Sequence, residues 1–353
     1  MINSIITGTG SYIPPIKVPN EKFLGNEFYS PDGMRIAKSN MDIVTKLQEI
    51  TCIRERRYVE DNLNTSDIAF MAAENALNGV DRESLDYIIV AQNFGDVRAG
   101  NNKFEMVPTI AARVKHKLRI KNPYTVAFDI PFGCPGWLQG MITADYYIRS
   151  GDARKVMVIG AEILSRVSDA HDVDGMIYSD GAGATLIEAT EGDVGILSHV
   201  TRSDTYDNAF LLGVGKSYNP SRSGGDLYIK MQGHEIYKYA VRTVPEVVRQ
   251  SLDKAGLTLT DVKKVFVHQA NQKMDEAILA RLFKLYQIDK IPEHIMPMTI
   301  SWLGNSSVAT LPTMLDLVRR GKLNNHQLHA GDIVVFASVG AGMNINSMVY
   351  RMH

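Results

Sequence analysis

These 353 residues predict a layered α/β protein made from one strand–helix unit used twice. Three observations support that fold. Strand-like and helix-like runs alternate along the chain, implying right-handed βαβ units and parallel-rich sheets covered by helices. Four of these elements recur in the same order at an offset of about 170–177 residues. A turn carrying Cys134 joins a strand to a helix, and the overlay of the two copies sets it opposite a turn carrying Asn305.

The first copy opens with the helix AFMAAENALNGV and the strand LDYIIVAQN. A loop and helix over 94–122 lead to the strand VAFDI, the Cys134 turn, a helix ending at Ser150-Gly151, and the strand KVMVIGAE. The second copy repeats this with VPEVVRQSLDKAGL, VKKVFVHQAN, the strand HIMPMTI, a turn through Leu303-Gly304-Asn305, a helix ending at Arg320-Gly321, and DIVVFASVGAG. The halves divide at 1–190 and 191–353. The first is the more elaborate: FYSPDGMRI, with a Pro-Asp-Gly turn between apolar flanks, reads as a hairpin. Packed about a pseudo-twofold axis, the halves bring equivalent turns together. A thiol (Cys134), an amide (Asn305) and an imidazole (His268, one strand away) are then expected to converge.

Composition narrows the function. Hydrophobic content of 45% with 22% charge is that of an ordinary globular protein. A net charge of −1 argues against bulk attraction to nucleic acid or acidic membranes. Two cysteines, Cys52 and Cys134, supply neither a disulfide framework nor a zinc cluster. No run reaches the roughly 20 apolar residues of a membrane span, and the start lacks the pattern of a signal peptide, so a cytoplasmic protein is expected. In HDVDG (171–175) the aspartates are expected to be solvated, and no metal site is expected.

Cys134 is the expected nucleophile. Pro135 suits the first helical turn, and a thiol at a helix N-terminus meets unpaired N–H groups and the positive end of the dipole. Both favour thiolate, of which an unperturbed cysteine holds only about 3% at neutral pH. Cys52, with no base motif nearby, reads as structural.

Together the nucleophile turn FGCPGW, VHQAN (267–271), LGNSSVAT (303–310), SDGAGAT (179–185) and VGAG (339–342) carry a resemblance over nearly the whole length. The chain resembles the β-ketoacyl-(acyl carrier protein) synthase III family of thiolase-fold enzymes. The resemblance implies a five-layer αβαβα body, a homodimer, and decarboxylative condensation of a Cys134-bound acyl group with malonyl-(acyl carrier protein) in fatty acid biosynthesis. It needs no cofactor. Under it His268 and Asn305 stabilise the enolate, while the N–H groups of Cys134 and Ala341 form the oxyanion hole. Acyl carrier protein is the implied partner, with Lys273 and Arg54 as docking residues and further charge from Arg56 and Arg57. The glycines of SDGAGAT read as places of close backbone packing rather than ligand contact.

The chain departs from the family pattern in four places. Val339 stands where the family loop carries Phe. The positions that clamp the adenine of coenzyme A fall near Lys46, Ile50 and Val173, none of which can reproduce the clamp. The loop residue limiting acyl length falls near Val107, making Val107 and Val339 the expected acyl-pocket residues. Cys52 stands where the family has Gly. The missing clamp and Val107 keep open an alternative: a secondary-metabolism ketosynthase using longer acyl thioesters to make a polyketide, dialkylresorcinol or similar lipid.

Overall fold

The computed structural model describes residues 2–222 and 224–353. In the first half, β1 (Ile2–Tyr12) is followed by β2 (Ile16–Pro19), α1 (Asn40–Thr51), β3 (Glu55–Tyr58), α2 (Thr65–Ala76) and β4 (Tyr87–Ala91). Short strands β5 (Asp96–Val97) and β6 (Phe104–Glu105) precede α3 (Ile110–Lys117), β7 (Val126–Ile130), α4 (Gly136–Ser150), β8 (Lys155–Ile163) and β9 (Asp180–Glu191). The second half opens with β10 (Gly195–Ser203), α5 (Thr205–Asn208), the hairpin β11 (Leu212–Gly215) and β12 (Tyr228–Met231), and α6 (Gly233–Lys254). It closes with β13 (Val262–Val267), α7 (Gln272–Leu285), α8 (Ile300–Leu303), α9 (Thr310–Arg319), β14 (Ile333–Gly340) and β15 (Asn344–Arg351).

The two core sheets carry the duplication. Their orders are β1-β9-β8-β4-β7 and β10-β15-β14-β13. In each, the first two pairings are antiparallel and the next is parallel. The second sheet stops one strand short. HIMPMTI, expected as the counterpart of β7, is not a strand; from β13 it receives one backbone bond, Val265 N–H to Ile295 O at 2.9 Å. Pro297 within that run and Pro292 just before it have no N–H to donate, and each restricts the residue before it.

Apolar spacing sets the layers. On α4, Trp137, Leu138, Met141, Ala144 and Ile148 are buried, and α9 is buried from Thr310 to Val318. These helices pack between the sheets, against Ile89, Val158 and Ile187 of one and Phe266, Phe336 and Tyr350 of the other. The outer face of the first sheet packs on α2 and α3, and that of the second on α6 and α7. The result is a five-layer αβαβα body, the thiolase-like fold. Each large apolar side chain buried in these layers contributes about 1.5–3 kcal/mol. Gly183, in SDGAGAT, faces the start of α9: a β-carbon there would lie 2.6 Å from Thr313 N and 2.8 Å from Pro312.

FYSPDGMRI forms a short hairpin. Gly33 N–H bonds Ser30 O at 2.9 Å in the turn, Ser30 N–H bonds Met34 O and Ile36 N–H bonds Phe28 O, both at 2.9 Å, and Tyr29 and Arg35 form its single antiparallel bridge. Pro31 and Asp32 occupy the turn, so few residues remain for pairing on either side. Cys52 caps α1 in the left-handed region, at φ 60°.

Replacing Gly183 with Ala forces α9 away from the first sheet. Urea unfolding of the Gly183→Ala variant should show a loss of about 1–3 kcal/mol, the usual cost of overpacking; unchanged stability would mean that the helix has room to move.

Candidate active site

β7 ends at Ile130 and α4 begins at Gly136, so Cys134 sits on the turn between them. Gly133 turns the chain at φ 67°. Opposite this turn, the end of β14 passes so close that a β-carbon on Gly340 would lie 2.5 Å from Cys134 N. One on Gly133 would lie 2.7 Å from Ala341 N. Two glycines therefore let the backbones of the halves touch, making the amides of Cys134 and Ala341 neighbours.

His268 follows β13, its N–H bonded to Ala337 O at 2.9 Å. The rest of VHQAN is scaffold. Gln269 Nε2 donates to Pro297 O at 2.7 Å, and its Oε1 accepts from the N–H groups of Thr299 and Ile300 at 2.8 and 3.0 Å. Asn271 caps α7 by accepting from Met274 N–H at 3.2 Å. Asn305 is held on both sides of its peptide: its N–H donates to Ile177 O at 2.9 Å, and its carbonyl accepts from Ser179 N–H at 2.8 Å. Asn305 Oδ1 accepts from Ser307 N–H at 2.9 Å, which leaves its amide nitrogen as the free donor.

Cys134, His268 and Asn305 line one cavity of about 130 Å³, with Ala341 and Val339 also in its wall. Leu164, Leu212, Val214, Ile229 and Met343 make most of the remaining wall apolar. The cavity shares Met231, Ile236, Ala270 and Met274 with a wider outer cleft of about 970 Å³. The hairpin β11–β12 covers the cavity and is latched by Lys230, whose Nζ lies 2.6 Å from Asp169 and 2.9 Å from Asp172.

Residues 128–205 match the 3-oxoacyl-[acyl-carrier-protein (ACP)] synthase III family, and residues 252–352 match its C-terminal region. The β-ketoacyl-[acyl-carrier-protein] synthase III 1 of Halalkalibacterium halodurans is 33% identical, with 99% of each chain covered. The chain belongs to the 3-oxoacyl-[acyl-carrier-protein] synthase III family. It is thus a condensing acyltransferase. Crystal structures of the synthases III from Aquifex aeolicus (29% identity, TM-score 0.79) and Thermus thermophilus (28%, 0.80) each align over 99% of both chains. A priming β-ketosynthase from the R1128 polyketide pathway aligns at 25% identity and TM-score 0.81, covering 99% of this chain and 96% of that one.

Cys134 is electrostatically unlike the expected thiolate. Burial pushes the Cys134 thiol up to about 11, outweighing the hydrogen bond from Ser307 Oγ at 3.5 Å, and the nearby Glu162 carboxyl adds to the rise. The helix N-terminus is thus overruled by loss of water. Burial also holds His268 near 4, so the imidazole is neutral, and its Nδ1 has no partner. A neutral ring beside a free amide is a donor pair suited to a developing oxyanion.

Other expected residues are distributed unevenly. Lys46, Ile50 and Val173 all line the outer cleft. Lys273 and Arg54 are exposed, each close in sequence to a cleft residue, Met274 and Thr51. Arg56 is wholly buried, over the ring of Phe23 at 4.8 Å, and cannot act at a rim. Val107 is 87% exposed and does not line the cavity, and its carbonyl accepts from Arg113 at 3.1 Å. Asp172 is buried against Lys230 rather than solvated, and the half-buried Asp174 lies in the cleft wall, pushed up to about 7 by burial. Sequence reasoning missed Asn93 and Ser307, which line the same cavity as Cys134, and Glu162, which is buried against Asn93. Glu162 was the detectable one, as a carboxyl within the otherwise apolar run of β8.

A thiol raised by burial gives a distinct pH profile. Alkylation of Cys134 by iodoacetamide in the resting enzyme should keep accelerating past pH 9, because thiolate accumulates only as pH approaches about 11. A plateau below pH 8 would show that the thiol is ionised at rest.

Proposed function

We propose that Cys134 is the acyl acceptor and that His268 and Asn305 serve the malonyl half of the reaction. The observation that carries this is the single cavity lined by all three, beside the paired amides of Cys134 and Ala341. The Cys134 sulfur attacks the primer thioester, and the carrier thiol leaves with the proton. A malonyl thioester then takes the vacated channel and loses carbon dioxide, its bonding electrons passing into an enolate. The neutral His268 ring and the Asn305 amide donate to the thioester oxygen as charge develops there. The enolate carbon attacks the acyl-enzyme, the two backbone amides hold the tetrahedral oxyanion, and Cys134 departs as the leaving group. The sequence is redox-neutral; besides the two thioesters it takes up one proton from solvent, which returns Cys134 to the thiol.

Acyl carrier protein is the proposed bearer of both groups. The cleft walls offer Lys46, Ile50 and Val173 where a nucleotide would need an aromatic and arginine clamp. Lys273 and Arg54 would steer an acidic partner to the mouth. A second reading, a ketosynthase of secondary metabolism, is favoured by the breadth of that cleft and by its apolar residues Ile36, Ile43, Leu47 and Ile50. The small inner cavity favours the initiating reaction on a short primer.

A homodimer belongs to the same reading. β7 ends its sheet, whereas β1 and β10 have outward backbone groups taken by side chains. Ile6 N–H donates to Tyr350 at 2.8 Å, Arg319 donates to Ile6 O at 2.9 Å, and Arg149 to Ile196 O at 2.6 Å. The Val107 loop lies beside β7, since Asp129 of β7 accepts from Ile110 and Ala111 N–H. A second copy paired along β7 would cover both. Light scattering should give a dimer mass that Val107→Glu lowers; a monomeric wild-type chain would sink this assembly.

Intact-mass measurement separates the two half-reactions. Exposed to acyl-(acyl carrier protein), His268→Ala and Asn305→Ala should still acquire the acyl mass on Cys134, while condensation falls by about 10²–10³-fold. Loss of acylation in both variants would reassign them to the first step, and no adduct on the wild type from any donor would overturn the mechanism.

A further inference from the structure

Asn93 lines the cavity beside Cys134, Glu162 is buried against it, and neither has a part in the steps above. β4 and β8 run parallel with Ala91 beside Gly160, and continuing that register two residues sets Asn93 beside Glu162. Glu162 is completely buried. Its two oxygens receive Asn93, from Nδ2 at 2.6 Å and from the backbone N–H at 3.4 Å. A buried carboxyl so occupied makes a rigid seat for one side chain.

Asn93 uses its remaining capacity on both halves of the molecule. Its Oδ1 accepts from Gly133 N–H at 2.9 Å, the residue immediately before Cys134. Its Nδ2 also lies 3.4 Å from Ser307 Oγ, in the segment carrying Asn305. Ser307 in turn donates to Cys134 Sγ at 3.5 Å. It is held in the left-handed region at φ 51°, a conformation a non-glycine residue keeps only when its surroundings impose it.

We propose that Asn93, seated on the buried carboxyl of Glu162, is the positioning residue of this site, fixing the nucleophile turn through Gly133 and aiming the Ser307 hydroxyl at the Cys134 sulfur. The polarity of the chain gives it a function. Asn93 donates to Ser307, so the Ser307 proton is left to point at sulfur, where it favours thiolate over thiol. The carboxyl acts in the opposite sense when ionised, because a negative charge near sulfur disfavours thiolate. Burial lifts Glu162 to about 8, so it is mostly neutral at pH 7 and holds Asn93 without opposing ionisation of the thiol.

This inference rests on Cys134 being the acyl acceptor, and one experiment keeps the two apart. Cys134 alkylation by iodoacetamide is followed from pH 6 to 11, alongside single-turnover acylation by acyl-(acyl carrier protein), in the full-length wild type and three variants. Asn93→Ala and Ser307→Ala should move the alkylation profile to higher pH and slow acylation at least tenfold at pH 7.5. Glu162→Gln removes the charge while keeping an acceptor for Asn93, and should move the alkylation profile to lower pH. A purely structural role would lower the melting temperature without moving the profiles in opposite directions. Ser307→Ala deletes one oxygen only and keeps the test available should Asn93→Ala fold poorly. Profiles superimposed on the wild type, with acylation within twofold, would overturn the positioning role. A wild type that alkylates but never acylates would instead overturn Cys134 as acyl acceptor.

Discussion

Where the nucleophile turn meets the C-terminal glycine loop, the backbones of the two halves come so close that Gly340 has no room for a β-carbon, which would sit 2.5 Å from Cys134 N. The catalytic arrangement depends on that approach. It aligns two amides that neither half could align alone, and it tolerates no side chain between them. Burial of α4 and α9 between the sheets brings the turns to this distance, and Gly183 clears the path for α9. A core built from two copies of one unit thus ends in a contact with a tolerance of a few tenths of an ångström.

The duplication and the three chemical residues were legible in the sequence because they rest on local signals: strand-to-helix turns, apolar spacing, and short motifs recurring at one offset. What was not legible depends on the surroundings. Charge at a helix N-terminus argues for thiolate at Cys134, but the depth of the site decides the matter and the depth belongs to the tertiary fold. Arg56 and Arg57 read alike in CIRERR, yet strand alternation sends one inward to Phe23 and keeps the other beside Glu55 and Trp302. Val107 aligns with a pocket position but faces outward in its own chain. HIMPMTI has the composition of a strand, and its prolines outweigh that composition.

Two spaces of unequal size divide the labour around Cys134. The cavity is narrow, apolar and partly covered by a hairpin anchored through Lys230, Asp169 and Asp172. The outer cleft is broad and mixed in charge, with Lys38, Lys46, Asp42 and Asp174 on its walls. Low dielectric inside strengthens each hydrogen bond aimed at the reacting carbonyl, and the same dryness raises the thiol. In the proposed mechanism Cys134 must therefore be ionised as substrate arrives.

The missing fifth strand of the second sheet bears on how far copies of this chain can associate. A duplicated body with an exposed β-edge on each half would have two equivalent sticky ends, and chains joined through both could grow into a filament without limit. Here the pseudosymmetry is broken at that point: a proline-bearing segment lies along β13, so β7 has no accessible twin. In the proposed dimer this leaves a single valence, so edge pairing through the core sheets would terminate after one event. Two prolines would then limit the stoichiometry of association as well as the shape of a sheet.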